Sequence, residues 1–457
     1  MLSLSTFLSS SNLILQAILC LSLTVFLSFL NIPALFLYGL HTYVHPDDVT
    51  PNNSSRGGVK AAIRRPGTVE SELKPRKKSK EKFEFDESKA QIFRLKLNDG
   101  HLQTRIYFKQ FSGAFNSTIV AISCLLLQKF LRVSKESGIL KNGSVIPISL
   151  GFAGICRVFV LIVKISFERS ASKSSEKLLS ILLGVIGFFW GLAIVCEMVP
   201  QWVIDIDFKS LDGLVKLFIA IFMGCIVGFF YTPAMKNARA FWLGTDQIRC
   251  NLSIISCGWF ARMLLYANYF LVVFTSTLWF SPFTEILLNK KTDGTKGLHF
   301  IVRNKNPGEL AGSLGMTQSD FHKFRVWCLL GSGLLQFLSL RPNVQMFLNE
   351  AVLCWYQRLH SSKVPDLAYS RAKVFLHNHY ICLVALQFFA PAAMILLFLG
   401  LSQIDDYVDF ERLSGLVPSS ALVKEVALFL AWWAIFVWAT FTSMALALYR
   451  RGVLYVS

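Results

Sequence analysis

The chain has 457 residues, of which 53 % are hydrophobic and only 16 % charged, where soluble chains carry about 25 % charged residues. A soluble core of this length cannot hide so much apolar surface, so soluble enzymes, disordered proteins and disulfide scaffolds are excluded and a membrane protein remains. The net charge of +18, from 46 Lys+Arg against 28 Asp+Glu, suits a protein that faces anionic lipid rather than nucleic acid.

A membrane-crossing helix needs about 20 mostly apolar residues. Nine segments qualify in chain order: 12–40, 112–131, 146–167, 178–199, 213–232, 252–281, 324–340, 374–401 and 422–449. The predicted fold class is all-α, a polytopic transmembrane helical bundle. Residues 1–44 hold its first segment and 109–457 its helical membrane domain. The first segment has a rival reading as a cleaved signal peptide, which would leave eight spans, although the basic n-region of such signals is missing. Residues 45–108 form the long polar region, with the run Lys74-Pro75-Arg76-Lys77-Lys78-Ser79-Lys80 in its middle. That composition predicts a largely disordered, solvated tether. Its second half, Phe85 to Phe111, mixes apolar and basic residues and is expected on the membrane surface.

Lys and Arg concentrate in cytosolic loops. With nine spans the two sides carry 28 and 13 of them. The amino terminus is therefore expected outside, and the 41–111 loop and the carboxyl terminus in the cytosol. The asymmetry comes from the 41–111 loop. The sequons at Asn52, Asn53 and Asn116 are then expected to stay bare.

Charges inside spans are the strongest functional pointers. Arg157 and Lys164 lie seven residues apart in the third span, nearly two turns, so they share a face. Each costs about 2.5–3.5 kcal/mol at the bilayer centre, so both are expected to face the bundle interior. Glu168, four residues on, can pair with Lys164. The pair reads either as a field-sensing or ion-path element or as a static lock on packing. Arg262 in the sixth span is expected to pair with an acid or stack on an aromatic ring.

Gly224-x-x-x-Gly228 permits close helix approach, and Pro233 is expected to end or kink that span. Gly187-x-x-x-Gly191 reads the same way. Residues 342–360 predict an amphipathic helix lying in the cytosolic interface. Val344, Leu348, Ala351, Val352, Trp355 and Leu359 take one face, and Asn343, Asn349, Glu350 and Gln357 the other. Arg341-Pro342 opens it, since Pro is tolerated in a first turn.

No H-E-x-x-H, phosphate-cradling glycine loop or G-x-S-x-G occurs. His377 and His379 point to different helical faces. The ten cysteines form no C-x-x-C pair and read as small buried hydrophobes. No catalytic residue, cofactor or metal is expected.

Several motifs together resemble the eukaryotic transmembrane protein 161 family, A/B type. Arg341-Pro342-Asn343-Val344-Gln345-Met346-Phe347-Leu348 is similar to the family's R-P-h-x-Q-h-h-L run, with h apolar. Leu386-Gln387-Phe388-Phe389-Ala390-Pro391 resembles its L-Q-Y-L-x-P span, and Tyr43-Val44-His45-Pro46 its Y-x-H-P motif. Gly224, Gly228, Pro233 and Lys236-Asn237-Ala238-Arg239 fit its fifth span, and Arg157 and Lys164 match two family cations. The resemblance implies a multi-pass membrane protein without known enzymatic activity. It also implies links to damped potassium and calcium currents, cardiac rhythm and protection from oxidative stress.

Three functional classes follow. The first is a non-enzymatic protein that modulates ion flux or a stress response. The second is a transporter or channel in its own right, which the scarcity of acids inside spans disfavours in proton-coupled form. The third is a membrane-embedded enzyme, which needs a polar cluster at one interface. Expected partners are the lipid bilayer, anionic lipid headgroups, and a channel or other membrane protein, in the plasma membrane or an endomembrane.

Overall fold

The computed structural model describes residues 2–45, 92–133, 145–168, 174–200, 212–245, 257–287, 317–361, 367–404 and 420–455. The chain enters through α1 (Leu2–Phe29), α2 (Ile32–Leu37) and β1 (His41–Val44). After residues 46–91 come β2 (Phe93–Lys96), α3 (Asp99–Gln103), α4 (Phe108–Val133), α5 (Val145–Phe167), α6 (Ser174–Val195) and α7 (Gly213–Thr245). The rest is α8 (Trp259–Thr277), α9 (Ser281–Leu287), α10 (Gln318–Ser361), α11 (Ala368–His379), α12 (Ile381–Ser402) and α13 (Ser420–Arg450).

The protein is a polytopic helical bundle. Among the described residues six helices are long and apolar enough to cross a membrane: α4, α5, α6, α7, α12 and α13. Three of the nine expected segments fall outside these six. The 12–40 segment divides at Asn31, whose left-handed backbone (φ 47°) turns the chain between α1 and α2; Asn tolerates that region through its short polar side chain. The 252–281 segment contributes the shorter α8. The 324–340 segment does not end near residue 340: it is the first part of α10, which continues through Pro342 to Ser361 as one helix of 44 residues.

α12 is the axis. Its sequence is apolar all round, which calls for burial on every side, and every residue from Ile381 to Leu399 is buried. α4, α5, α7, α10 and α13 surround it. Rings fill the joints: Phe389 packs with Phe111, Phe115 and Phe337, and Trp432 with Trp279, Phe280 and Phe436. The Trp432 and Trp433 indoles donate to the carbonyls of Ser276 and Met223, giving buried polar edges a partner.

One small sheet departs from the all-α expectation. β1 and β2 pair antiparallel, with His41 opposite Lys96 and Val44 opposite Phe93. Gly39, at φ +76°, makes the turn that feeds β1. The central part of the expected tether, with Asn52 and Asn53, lies outside the described residues. Its last part is ordered and packed: Ile92, Leu97, Leu102 and Tyr107 are buried. Asn116 lies within α4, one turn above Ser112.

Candidate functional site

At the end of the bundle that holds the sheet, the Arg341-Pro342 run meets the Tyr43-x-His45 motif. Residues 341, 345 and 349 stand one turn apart on α10 and so point the same way. Arg341 donates to the Phe36 carbonyl at the end of α2, at 3.1 Å. Gln345 mimics a strand: its amide nitrogen donates to the His41 carbonyl at 3.0 Å, and its amide oxygen accepts from the His41 N–H at 2.8 Å. Asn349 accepts from the Tyr43 hydroxyl at 3.2 Å and from Gln345 at 2.9 Å. The His45 ring packs on Trp355, with centroids 5.7 Å apart. Two motifs some 300 residues apart thus form one clasp.

Beneath the clasp lies a buried ion cluster. Glu350 is 5 % exposed. Its carboxylate takes Arg239 of α7 at 3.1 Å and Lys373 of α11 at 3.2 Å. Arg239 also donates to the Tyr449 hydroxyl of α13 at 3.1 Å. One turn before Arg239, Lys236 donates to Gln387 of α12 at 2.9 Å. The network therefore ties α7, α10, α11, α12 and α13 together. A change of charge at any member is felt by all of them, because ion pairs strengthen in a low dielectric.

His377 borders this cluster on α11. Its ring stacks on Phe347 at 4.3 Å, and Nδ1 lies 2.9 Å from the Lys373 carbonyl. Burial pushes its pKa down to about 4; Glu350 opposes that shift, and Lys373 and Lys236 reinforce it. The unfolded imidazole titrates near 6.5. Its lowered value therefore stabilises the fold above pH 6.5, and this contribution is lost as pH falls toward 4. At about 1.4 kcal/mol per unit the loss reaches about 3 kcal/mol. Melting temperature in detergent should fall across that window, and His377→Phe should flatten the fall. Equal profiles for the two proteins would remove His377 as its source.

The sequence-predicted residues separate. The polar face of 342–360 is buried along most of its length: Asn343, Asn349 and Glu350 are enclosed together with Val344, Leu348, Trp355 and Leu359, and Gln357 alone of its four polar residues is exposed. This stretch is thus a packed continuation of α10, because its polar face has ionic and amide partners to meet. Arg157 and Lys164 share one face of α5, but it is the exposed face. The inward face is taken by Ile155, Val158, Ile162 and Ile165. Glu168 accepts from Tyr107 at 2.5 Å rather than pairing with Lys164. Arg262 stands in the first turn of α8.

Gly224 and Gly228 face α6: a Cβ at Gly228 would lie 3.1 Å from the Ser180 carbonyl oxygen and 3.4 Å from Gly184 Cα. Gly187 and Gly191 meet Val227 and Met223 from the other side. α7 does not end at Pro233 but runs twelve residues further, to Thr245. Among the described residues no cysteine forms a disulfide, and Cys124, Cys257, Cys328, Cys354 and Cys382 are buried.

Two features escaped the reading by segments. Ser180 donates to the Gly228 carbonyl at 2.6 Å, beside the glycine contacts. Arg325, 8 % exposed, sits over the rings of Trp279 and Phe321 and donates to the Leu278 carbonyl and the Thr284 hydroxyl. It stands at the edge of an apolar segment, where a cation ordinarily reads as a loop residue. Among the described residues no group of three or more His, Cys, Asp or Glu is placed to hold a metal.

No solved structure matches the chain. A family model described as predicted transmembrane protein 161AB matches residues 196–408. That range holds α7 to α12, and so the glycine pair and Lys236, Arg239, Gln345, Glu350, Lys373 and Gln387 of the cluster and clasp. Tyr43, Arg157 and Lys164 lie outside it. Over residues 196–408 this chain is thus similar to the transmembrane protein 161AB family, the family that its motifs resemble.

Proposed function

We propose that this chain is a non-enzymatic multi-pass membrane protein that modulates ion flux carried by another membrane protein, with a cellular stress response downstream. The observation that carries the reading is the contrast between axis and end. α12 has no charged side chain along its whole length and is packed on all sides. The charges gather instead in a locked cluster at one end, around Glu350. A transporter or channel in its own right needs a polar path along the bundle axis; a modulator needs a stiff body with a charge-sensitive joint. The family resemblance, with its links to damped potassium and calcium currents, points the same way.

The topology that goes with this reading has nine crossings, α1, α8 and α10 joining the six apolar helices. Their neighbours support it by running up and down in turn. Gln16 of α1 meets Gln128 of α4, while Leu27 packs with Val120. Thr275 of α8 meets Ser332 of α10 at 2.8 Å, while Arg325 reaches back to Leu278. The amino terminus is then outside and the ion cluster on the cytosolic side, in the plasma membrane or an endomembrane.

Two recordings test it. Liposomes holding the purified chain alone should pass potassium and calcium no faster than empty ones. Cells expressing it should show altered whole-cell potassium or calcium currents, and Glu350→Gln should abolish the change. Flux through the chain alone would favour the transporter reading; unchanged currents in the cells would remove the modulator.

A further inference from the structure

Arg157 begins near the middle of α5, yet its head does not stay there. A methyl group at Gly113 of α4 would overlap the Arg157 guanidinium, so that head lies in the notch the glycine leaves. α4 and α5 run antiparallel, with Gly154 against Ala121 and Gly151 against Leu125. Gly113 is eight residues before Ala121, about 12 Å along α4, whereas Arg157 is three residues past Gly154, about 4.5 Å along α5. The guanidinium has therefore travelled about 7 Å toward the carboxyl end of α5, the full reach of the side chain.

This brings it level with Lys164, which stands on the same face about 4.5 Å before the end of α5 at Phe167. Lys109 lies one turn before Gly113 on α4 and is exposed. Among the described residues no hydrogen bond or ion pair engages Arg157, Lys164 or Lys109. The nearby acid, Glu168, is taken by Tyr107, and its carbonyl by Lys177. Along the exposed face the stripe continues with Phe152, Cys156, Val160 and Phe167.

We infer that this face of α4 and α5 is a binding site for an anionic phospholipid. Its phosphate sits between Arg157, Lys164 and Lys109, and an acyl chain lies along Val160, Cys156 and Phe152. Cations from two helices meet at headgroup depth, and apolar side chains run from them toward the bilayer centre. That is the order of charge and oil in a lipid. Basic pockets between membrane helices recognise such headgroups. A second copy of the chain fits worse, since a symmetric contact sets Arg157 against Arg157.

The test is lipid binding by the full-length chain in detergent, probed with fluorescent phosphatidylserine and phosphatidylcholine. The wild type should prefer phosphatidylserine. Each basic residue near the anionic group is worth about fivefold, so Lys164→Gln should weaken binding about fivefold and Arg157→Gln with Lys164→Gln about thirtyfold. Arg157→Lys should keep most of the affinity, which separates lost charge from lost folding. Glycerophosphoserine, the headgroup without chains, should not compete at equal concentration. The site is overturned by a wild type without lipid preference, by a folded Lys164→Gln variant that binds as tightly as wild type, or by full competition from the bare headgroup. Loss of an acidic membrane protein from the double variant, with lipid preference unchanged, would likewise overturn it and assign the face to a protein partner.

Discussion

Glu350→Gln is expected to lower the stability of the fold by about 3 kcal/mol, read as melting temperature in detergent. The substitution keeps the shape and removes the charge. Arg239 and Lys373 then lose the carboxylate they share at 3.1 and 3.2 Å. Breaking a buried pair costs about 3–5 kcal/mol because the remaining charge is left without compensation. The low end of that range applies, since the Arg239 side chain is 36 % exposed and recovers part of its hydration. Lys373 is enclosed and does not. Replacing all three members with apolar residues of similar volume, Glu350→Leu with Arg239→Met and Lys373→Met, should restore much of the loss, because no uncompensated charge remains. An unchanged melting temperature for Glu350→Gln would mean that other groups hold the two cations, and the cluster would cease to be the joint of the bundle.

Segment length and apolarity were enough to place α4, α5, α6, α7, α12 and α13, because a helix apolar on all sides has few places to go. What one segment could not reveal is the direction each face takes. The periodicity put Arg157 and Lys164 together correctly, yet nothing local shows that Ile155, Val158, Ile162 and Ile165 win the inward side. Water was assumed opposite the apolar face of 342–360. The true partners of that polar face are Arg239, 111 positions away, and Tyr43, 306 positions away. A polar helical face reads the same whether it meets solvent or a buried ion. The strand His41–Val44 is four residues long, too short for an alternating pattern, and its partner β2 lies beyond the basic stretch. Gln345 carried no signal beyond its place in a motif, since an amide that imitates a strand edge depends entirely on what is brought beside it.

Gly228→Leu should separate α6 from α7 and is expected to lower the melting temperature. The two helices approach backbone to backbone: a Cβ at Gly228 already comes within 3.1 Å of the Ser180 carbonyl oxygen, and one at Gly224 within 2.9 Å of the Gly184 oxygen. Those atoms belong to a helical backbone and cannot turn aside as a side-chain tip can. Overpacking of this kind costs about 1–3 kcal/mol. The Ser180 hydrogen bond to the Gly228 carbonyl at 2.6 Å stretches with it. α6 has little else to hold it. Leu178, Ile181, Leu182, Val185, Phe189 and Trp190 are exposed; of its four buried residues, Gly187 and Gly191 face α7, and Ile194 and Val195 stand at its carboxyl end. Lipid replaces the hydrophobic drive between membrane helices, so close contact of small residues has to do the work. Gly213→Leu is the control, because nothing lies within 4 Å of that position. Equal melting temperatures for the two variants would mean that α6 tolerates displacement and that the glycine stripe is not what fastens it.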